Sequence, residues 1–184
     1  EMLNLFKLRF SFIILWLFNF TTVAFSDVNK IDGIDIQEDI SNWQRQIGYV
    51  PQQSYLFNST IKENIAFGIE ESDIDENLMI NAIKTAEIEE YVNGLKNGLR
   101  TSIGEDGIVM SGGQRQRQTI ARAIYHNHSI LVMDEFTSAL DQTTENKILS
   151  NLSDFLKEKT CIIVSHRSNT VKECNKILNL SETN

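Results

Sequence analysis

Five stretches of this chain carry residue types that could do chemistry together. Ser111-Gly112-Gly113-Gln114 opens a helix-forming run, QRQRQTIARAI. Paired glycines let backbone approach a ligand closely, and the helix behind them aims free N–H groups and its positive dipole end at it. That is an anion site suited to a phosphate. A Ser-Gly-Gly turn alone is more often a plain helix start, and the run that follows makes this one specific. In ILVMDE (130–135), a buried apolar strand delivers Asp134 and Glu135 at its C-terminal end, where open α/β sheets bind ligands. Asp134 is placed to hold a magnesium ion, directly or through water, and Glu135 to orient or deprotonate an attacking water. Read alone, the two acids could equally cap the next helix; the continuation TSALD (137–141), ending in Asp141, favours the site.

His166 follows the strand-like TCIIVS at the same presumed sheet edge. A histidine there could donate to a terminal phosphate and sense its presence. Gln52 ends YVPQ, where Pro51 enforces the exit from a strand and leaves an amide able to ligate magnesium or water. His126 and His128 lack such a context and read as surface residues of a helix-to-strand turn.

The elements that must position these groups are legible from periodicity. Val28 to Ile31 reads as a short strand closed by an Asp32-Gly33 turn, and Ile47 to Val50 as a second strand. Residues 72–97 read as a small helical lobe, capped by Ser72 or Asp73, with Leu78, Ile80, Ala82, Ile83 and Ala86 as its apolar stripe and Gly94 and Gly98 as breakers. Gln114 to Tyr125 is a strong helix candidate, Ser129 to Met133 a buried strand, Leu140 to Leu156 an amphipathic helix and Thr160 to Val164 another buried strand. Ile177 to Leu180 is a further strand candidate. Apolar strands alternating with helices predict a parallel sheet covered on both faces.

Composition bounds the function. The 184 residues suit one domain with an inserted lobe, and the hydrophobic share of 41% with 23% charged is ordinary for a globular protein. A net charge of -8 argues against a nucleic-acid partner, which shows as a basic stripe. The tightest basic group, Arg115, Arg117 and Arg122, lies inside one motif. Cys161, in the apolar run CIIV, reads as a buried small residue, and with Cys174 it suggests neither a disulfide framework nor a metal site.

Gln52, MSGGQRQR, ILVMDE, TSALD and SHR, in this order, resemble an ATP-binding-cassette (ABC) ATPase from about Val28 to Leu180. The resemblance implies a P-loop NTPase-like α/β fold, a mostly parallel sheet flanked by helices, with an α-helical subdomain at about residues 60–125. It implies ATP and Mg2+ as ligands. Gln52 falls in the Q-loop, Ser111, Gly112, Gly113 and Gln114 in the signature motif, and Asp134 with Glu135 in the Walker B motif and catalytic glutamate. Asp141 falls in the D-loop, and His166 is the switch histidine. IGYVPQQSYLFNSTIKENIAFG and TSIGEDGIVMSGGQRQR are similar to exporter-type cassettes. That implies a second nucleotide-binding domain as head-to-tail partner, a transmembrane domain, and a place on the cytoplasmic face of the plasma (inner) membrane. Met110 stands where leucine is usual and Phe136 where alanine is usual. A cassette of DNA repair or translation is disfavoured by the acidic charge and the exporter-like stretch.

One family part is missing. A Walker A loop, G-x-x-x-x-G-K-[ST], should lie roughly forty residues before Gln52, yet no glycine precedes Gly33. Residues 1–25, apolar from Phe12 to Phe18 and interrupted at Asn19, differ in composition from the ATPase domain expected over 26–184. A signal peptide, a membrane helix and a buried core segment are readings of that stretch alone. In the family's light it reads as an out-of-frame or misassembled start joined near Ser26. The alternatives are a pseudogene-like product or a degenerate, non-catalytic cassette lending its signature motif to an intact partner. The chain as written is expected to bind ATP poorly on its own.

Overall fold

A computed structural model of the chain describes residues 30–31, 34–35, 37, 39–104, 108–172 and 174–178. The atypical segment 1–25, and with it the position expected for a Walker A loop, lies outside the described residues. The chain divides into two compact units, 1–44 and 45–184. In the first, strands β1 (Lys30–Ile31) and β2 (Ile34–Asp35) pair antiparallel, which agrees with a strand near Val28–Ile31. Helix α1 (Ile40–Gln46) leads into the second unit.

The second unit is built on a three-stranded parallel sheet of β3 (Ile47–Val50), β6 (Ile130–Asp134) and β7 (Thr160–Val164), with β6 in the middle. Leu131, Val132 and Met133 of β6 are buried, as expected of a central strand packed on both faces and hence written as an unbroken apolar run. The register pairs Val50 with Met133 and Asp134 with Val164, so all three strands end at one edge. The expected parallel sheet is present. Ile177 and Leu178 carry no strand, so the further strand candidate fails over its described half; 179–180 lie outside the described residues.

Between β3 and β6 the chain forms the helical lobe: α2 (Ile61–Ile65), α3 (Glu76–Thr85), α4 (Glu89–Asn93) and the first part of α5 (Gly112–His126). A short antiparallel pair, β4 (Ser59–Thr60) with β5 (Ser102–Ile103), closes its base. The cap of α3 is Asp75, whose carboxylate accepts from the amides of Asn77 and Leu78, and not Ser72 or Asp73; those two sit in a separate 3-10 turn. Met79, Ala82, Ile83 and Ala86 are buried, whereas Leu78 and Ile80 of the expected stripe face solvent. A 3.6-residue period starting at Asp75 puts position 79, and not 78 or 80, on the core side.

The stretch YLFNSTIKENIAFG folds back on itself. Buried Asn64 takes the amide of Phe57 at 2.8 Å and donates to the Phe57 carbonyl at 2.9 Å. Arg122 of α5 then donates to the Asn64 carbonyl at 2.6 Å. Arg115 donates to Met110 O and Arg117 to Glu87 O, each at 2.5 Å. The tightest basic group of the sequence is therefore spent on backbone carbonyls that need donors. Met110 and Phe136 are both buried, so the unusual Phe136 has a place in the core.

After β6, helix α6 (Gln142–Phe155) returns the chain to β7, and α7 (Ser168–Lys172) follows. His126 and His128 are half-buried and stack on one another, where surface positions were expected; burial first, then His128 and Arg122, push the His126 pKa down. Cys161 is partly buried against the core, and burial, with Cys174 nearby, raises its thiol to about 12.

Candidate functional site

The shared edge of β3, β6 and β7 gathers residues far apart in sequence. Gln52 lies two residues past β3, Glu135 one past β6 and His166 two past β7. The Gln52 Nε2 donates to Oε2 of Glu135, and His166 Nε2 lies 3.2 Å from Oε1 of the same carboxylate. Both oxygens of Glu135 are thus held, one by each flanking strand's exit loop. The His166 side chain is 90% exposed against 23% for Glu135, so the histidine is free to swing while the glutamate is held. Glu135 has φ 43°, a left-handed conformation that costs roughly 1–2 kcal/mol for a residue with a side chain. Its amide still donates to Val164 O at 2.9 Å, so the ladder continues for one residue before the chain turns.

Asp134, the last residue of β6, faces Tyr49 of β3, whose hydroxyl lies 3.4 Å from Oδ2. Burial, and then the Asp134 carboxylate, raise the Tyr49 phenol above its ordinary value. Neither acid caps the following helix. That task falls to Asp141, which accepts from the Thr144 amide at 3.0 Å and from its hydroxyl at 2.7 Å. Those bonds hold the Asp141 carboxyl below its ordinary pKa.

Ser111, Gly112, Gly113 and Gln114 form a separate turn at the start of α5. Ser111 and Gln114 make a capping box: the Gln114 amide reaches Ser111 Oγ at 3.2 Å, and the Ser111 amide reaches Gln114 Oε1 at 2.7 Å. A methyl group added at Gly113 would lie 3.1 Å from the Ala139 carbonyl oxygen. Glycine here therefore serves the packing of the turn on the loop 135–141 as well as approach to a ligand. Gln52, Glu135 and His166 form one hydrogen-bonded group, whereas the Ser111 turn and Asp141 stand apart from it.

Sequence reasoning passed over a second group beside the first. Glu145 of α6 is fully buried. Its Oε1 accepts from Thr137 at 3.1 Å and Thr170 at 2.7 Å, and its Oε2 pairs with Arg167 Nη1 at 2.6 Å. Arg167 also donates to the carbonyls of Leu140 and Ser138, each at 3.2 Å. The residue after His166 therefore ties that loop to the loop after Glu135. A cleft lined by Glu135, Thr137, Ser138, Ser165, His166 and Arg167 opens there. Glu145 carries no sequence signal, because an acid in the first turn of a helix normally faces water and the helix dipole.

The chain matches the ABC transporter family over residues 17–138. The protein belongs to that family. An ATP-dependent lipid A-core flippase of Saccharophagus degradans is 44% identical over 149 residues, covering 80% of this chain and 25% of that protein. A mitochondrial iron-sulfur clusters transporter, ATM1, of Yarrowia lipolytica is 40% identical over 153 residues, covering 83% of this chain and 21% of that one. A bacterial Atm1-family ABC exporter with ATP bound has a similar structure at TM-score 0.70 and 39% identity, over 77% of this chain and 25% of that chain. The ABC chain described here thus spans about a quarter of the length of such relatives. Among its described residues no helix is long and apolar enough to cross a membrane.

Proposed function

We propose that this chain is the ATP-binding and ATP-hydrolysing portion of an ABC exporter, coupling hydrolysis to transport across a membrane. The observation that carries the reading is the convergence of Gln52 and His166 on the two oxygens of Glu135 at the C-terminal edge of a parallel sheet. The exporter names of its relatives support the direction of transport.

Glu135 orients and deprotonates the attacking water. In the resting arrangement His166 occupies Oε1; when it turns to a terminal phosphate, that oxygen is free to accept the water's proton. Ser111, Gly112, Gly113 and Gln114, with Asp141, meet the nucleotide held by a second cassette in a head-to-tail pair, and a transmembrane domain carries the substrate. The working place is then the cytoplasmic face of the plasma (inner) membrane.

No group of three or more His, Cys, Asp or Glu among the described residues could hold a metal ion. Magnesium needs less: it keeps several waters and takes one or two protein ligands beside phosphate oxygens. The Asp134 carboxylate fits that set, and so does Gln52 Oε1, since the other end of that amide is spent on Glu135. Bound there, Mg2+ would neutralise charge on the phosphate oxygens.

The chain as written is impaired, because the stretch where a phosphate loop should lie has no glycine to free backbone amides. The test is Mg-dependent titration with a fluorescent nucleotide, on this chain and on one given a G-x-x-x-x-G-K-S loop with its preceding strands. The expected result is tight binding and hydrolysis by the second chain only, with Glu135→Gln stopping hydrolysis and keeping binding. Equal binding by both chains overturns the impairment, and hydrolysis that survives Glu135→Gln overturns the role of Glu135.

A further inference from the structure

Glu135 needs support beyond its strand. Its left-handed backbone persists only where neighbours over-determine it. Within its own loop the Glu135 carbonyl accepts from the Ser138 amide at 2.9 Å. The other donor to that carbonyl comes from a distant element: Gln116 Nε2 of α5, at 3.2 Å. Gln116 is 1% exposed. Its Nε2 also reaches Ser138 Oγ at 3.3 Å, and its Oε1 accepts from the Ala139 amide at 2.8 Å.

The orientation of this amide is dictated by its partners. Ala139 N–H requires an acceptor and Glu135 C=O requires a donor, so a flipped amide would oppose like to like at both ends. One buried side chain thus clamps the loop at its first and fifth residues. It does so from the helix whose first turn is Ser111-Gly112-Gly113-Gln114, and Gly113 already packs on the Ala139 carbonyl.

We propose that Gln116 is a positioning residue for Glu135, the strut through which the helix behind the Ser111 turn holds the Glu135 backbone in place. This rests on the reading that Glu135 activates water. Gln116→Glu keeps the shape and the acceptor for Ala139, but sets an anionic oxygen against the Glu135 carbonyl. Gln116→Met keeps the volume and removes both polar ends.

Two measurements decide it. In the chain as it is, amide exchange of the Glu135–Asp141 segment should speed about tenfold in Gln116→Glu, and less in Gln116→Met, with α6 unchanged, as expected for losing about 1.4 kcal/mol of local restraint. In the chain given a phosphate loop, Gln116→Glu should lower kcat about tenfold with the KM for ATP within about twofold. Uniformly faster exchange, unchanged exchange, or a lower melting temperature with kcat intact in both variants overturns the proposal. A parent that shows no Glu135-dependent hydrolysis overturns the functional reading instead, and exchange still decides whether Gln116 holds the loop.

Discussion

Replacing Glu145 by Gln removes one charge from a fully buried site while leaving its volume unchanged. Two hydroxyls and one guanidinium converge on the carboxylate, from Thr137, Thr170 and Arg167. Hydrogen bonds to a charged group contribute about 1.5–3 kcal/mol each. The amide keeps one oxygen, which can still take both hydroxyls, but then turns its NH2 toward Arg167. The loss is therefore chiefly the Arg167 bond. Breaking a buried pair costs about 3–5 kcal/mol, but the Arg167 side chain is 38% exposed and recovers part of its hydration. A destabilisation of about 2 kcal/mol follows, or roughly 4–8 °C in melting temperature for a chain of this size. The pH dependence carries a sign. Burial raises the Glu145 pKa, but bonds from Thr170, Arg167 and Thr137 outweigh it and hold the value below the ordinary 4.5. A depressed folded pKa means stability present in full above the unfolded value and lost as pH falls through the folded one. Urea denaturation of parent and Glu145→Gln should thus differ by a constant amount above about pH 5.5 and converge below 4.5. A gap that widens on acidification, or no gap at neutral pH, would refute the reasoning.

Two further outcomes follow from burial. Gln118 of α5 is fully buried, and neither end of its amide has a hydrogen-bond partner among the described residues; an unsatisfied buried polar group costs about 1–3 kcal/mol. Gln118→Leu should therefore raise the melting temperature by about 2–4 °C, and a fall would show that the amide is paired after all. With its thiol raised to about 12, Cys161 should resist iodoacetamide at pH 8 in the folded chain and react readily in guanidinium. Prompt labelling of the native chain would contradict the burial assigned to it.

Much of this was legible in the residues themselves. Ile47–Val50 and Thr160–Val164 appear as strands with the bounds their apolar runs suggest, because a strand buried on both faces writes its burial directly into local sequence. The order of Gln52, SGGQ, DE, TSALD and SHR pointed to the ABC family, and the family match agrees. The start of α3 was misplaced by two or three residues, since Ser72, Asp73 and Asp75 are all fit to cap and only packing of position 79 selects among them.

Other features had no local trace. Gln116 and Arg167 sat inside motifs already singled out, yet their partners lie about twenty or more residues away, across the fold. Glu145 looked like a solvated first-turn acid until Thr170 and Arg167 closed over it. The meeting of Gln52, Glu135 and His166 depends on three strands running parallel in register, so that their C-terminal ends share an edge. Local sequence sets which residues leave the strands, because burial and periodicity act over a few positions. Tertiary structure decides which of them meet, because hydrogen bonds between distant side chains form only once the sheet and its covering helices have fixed the distances.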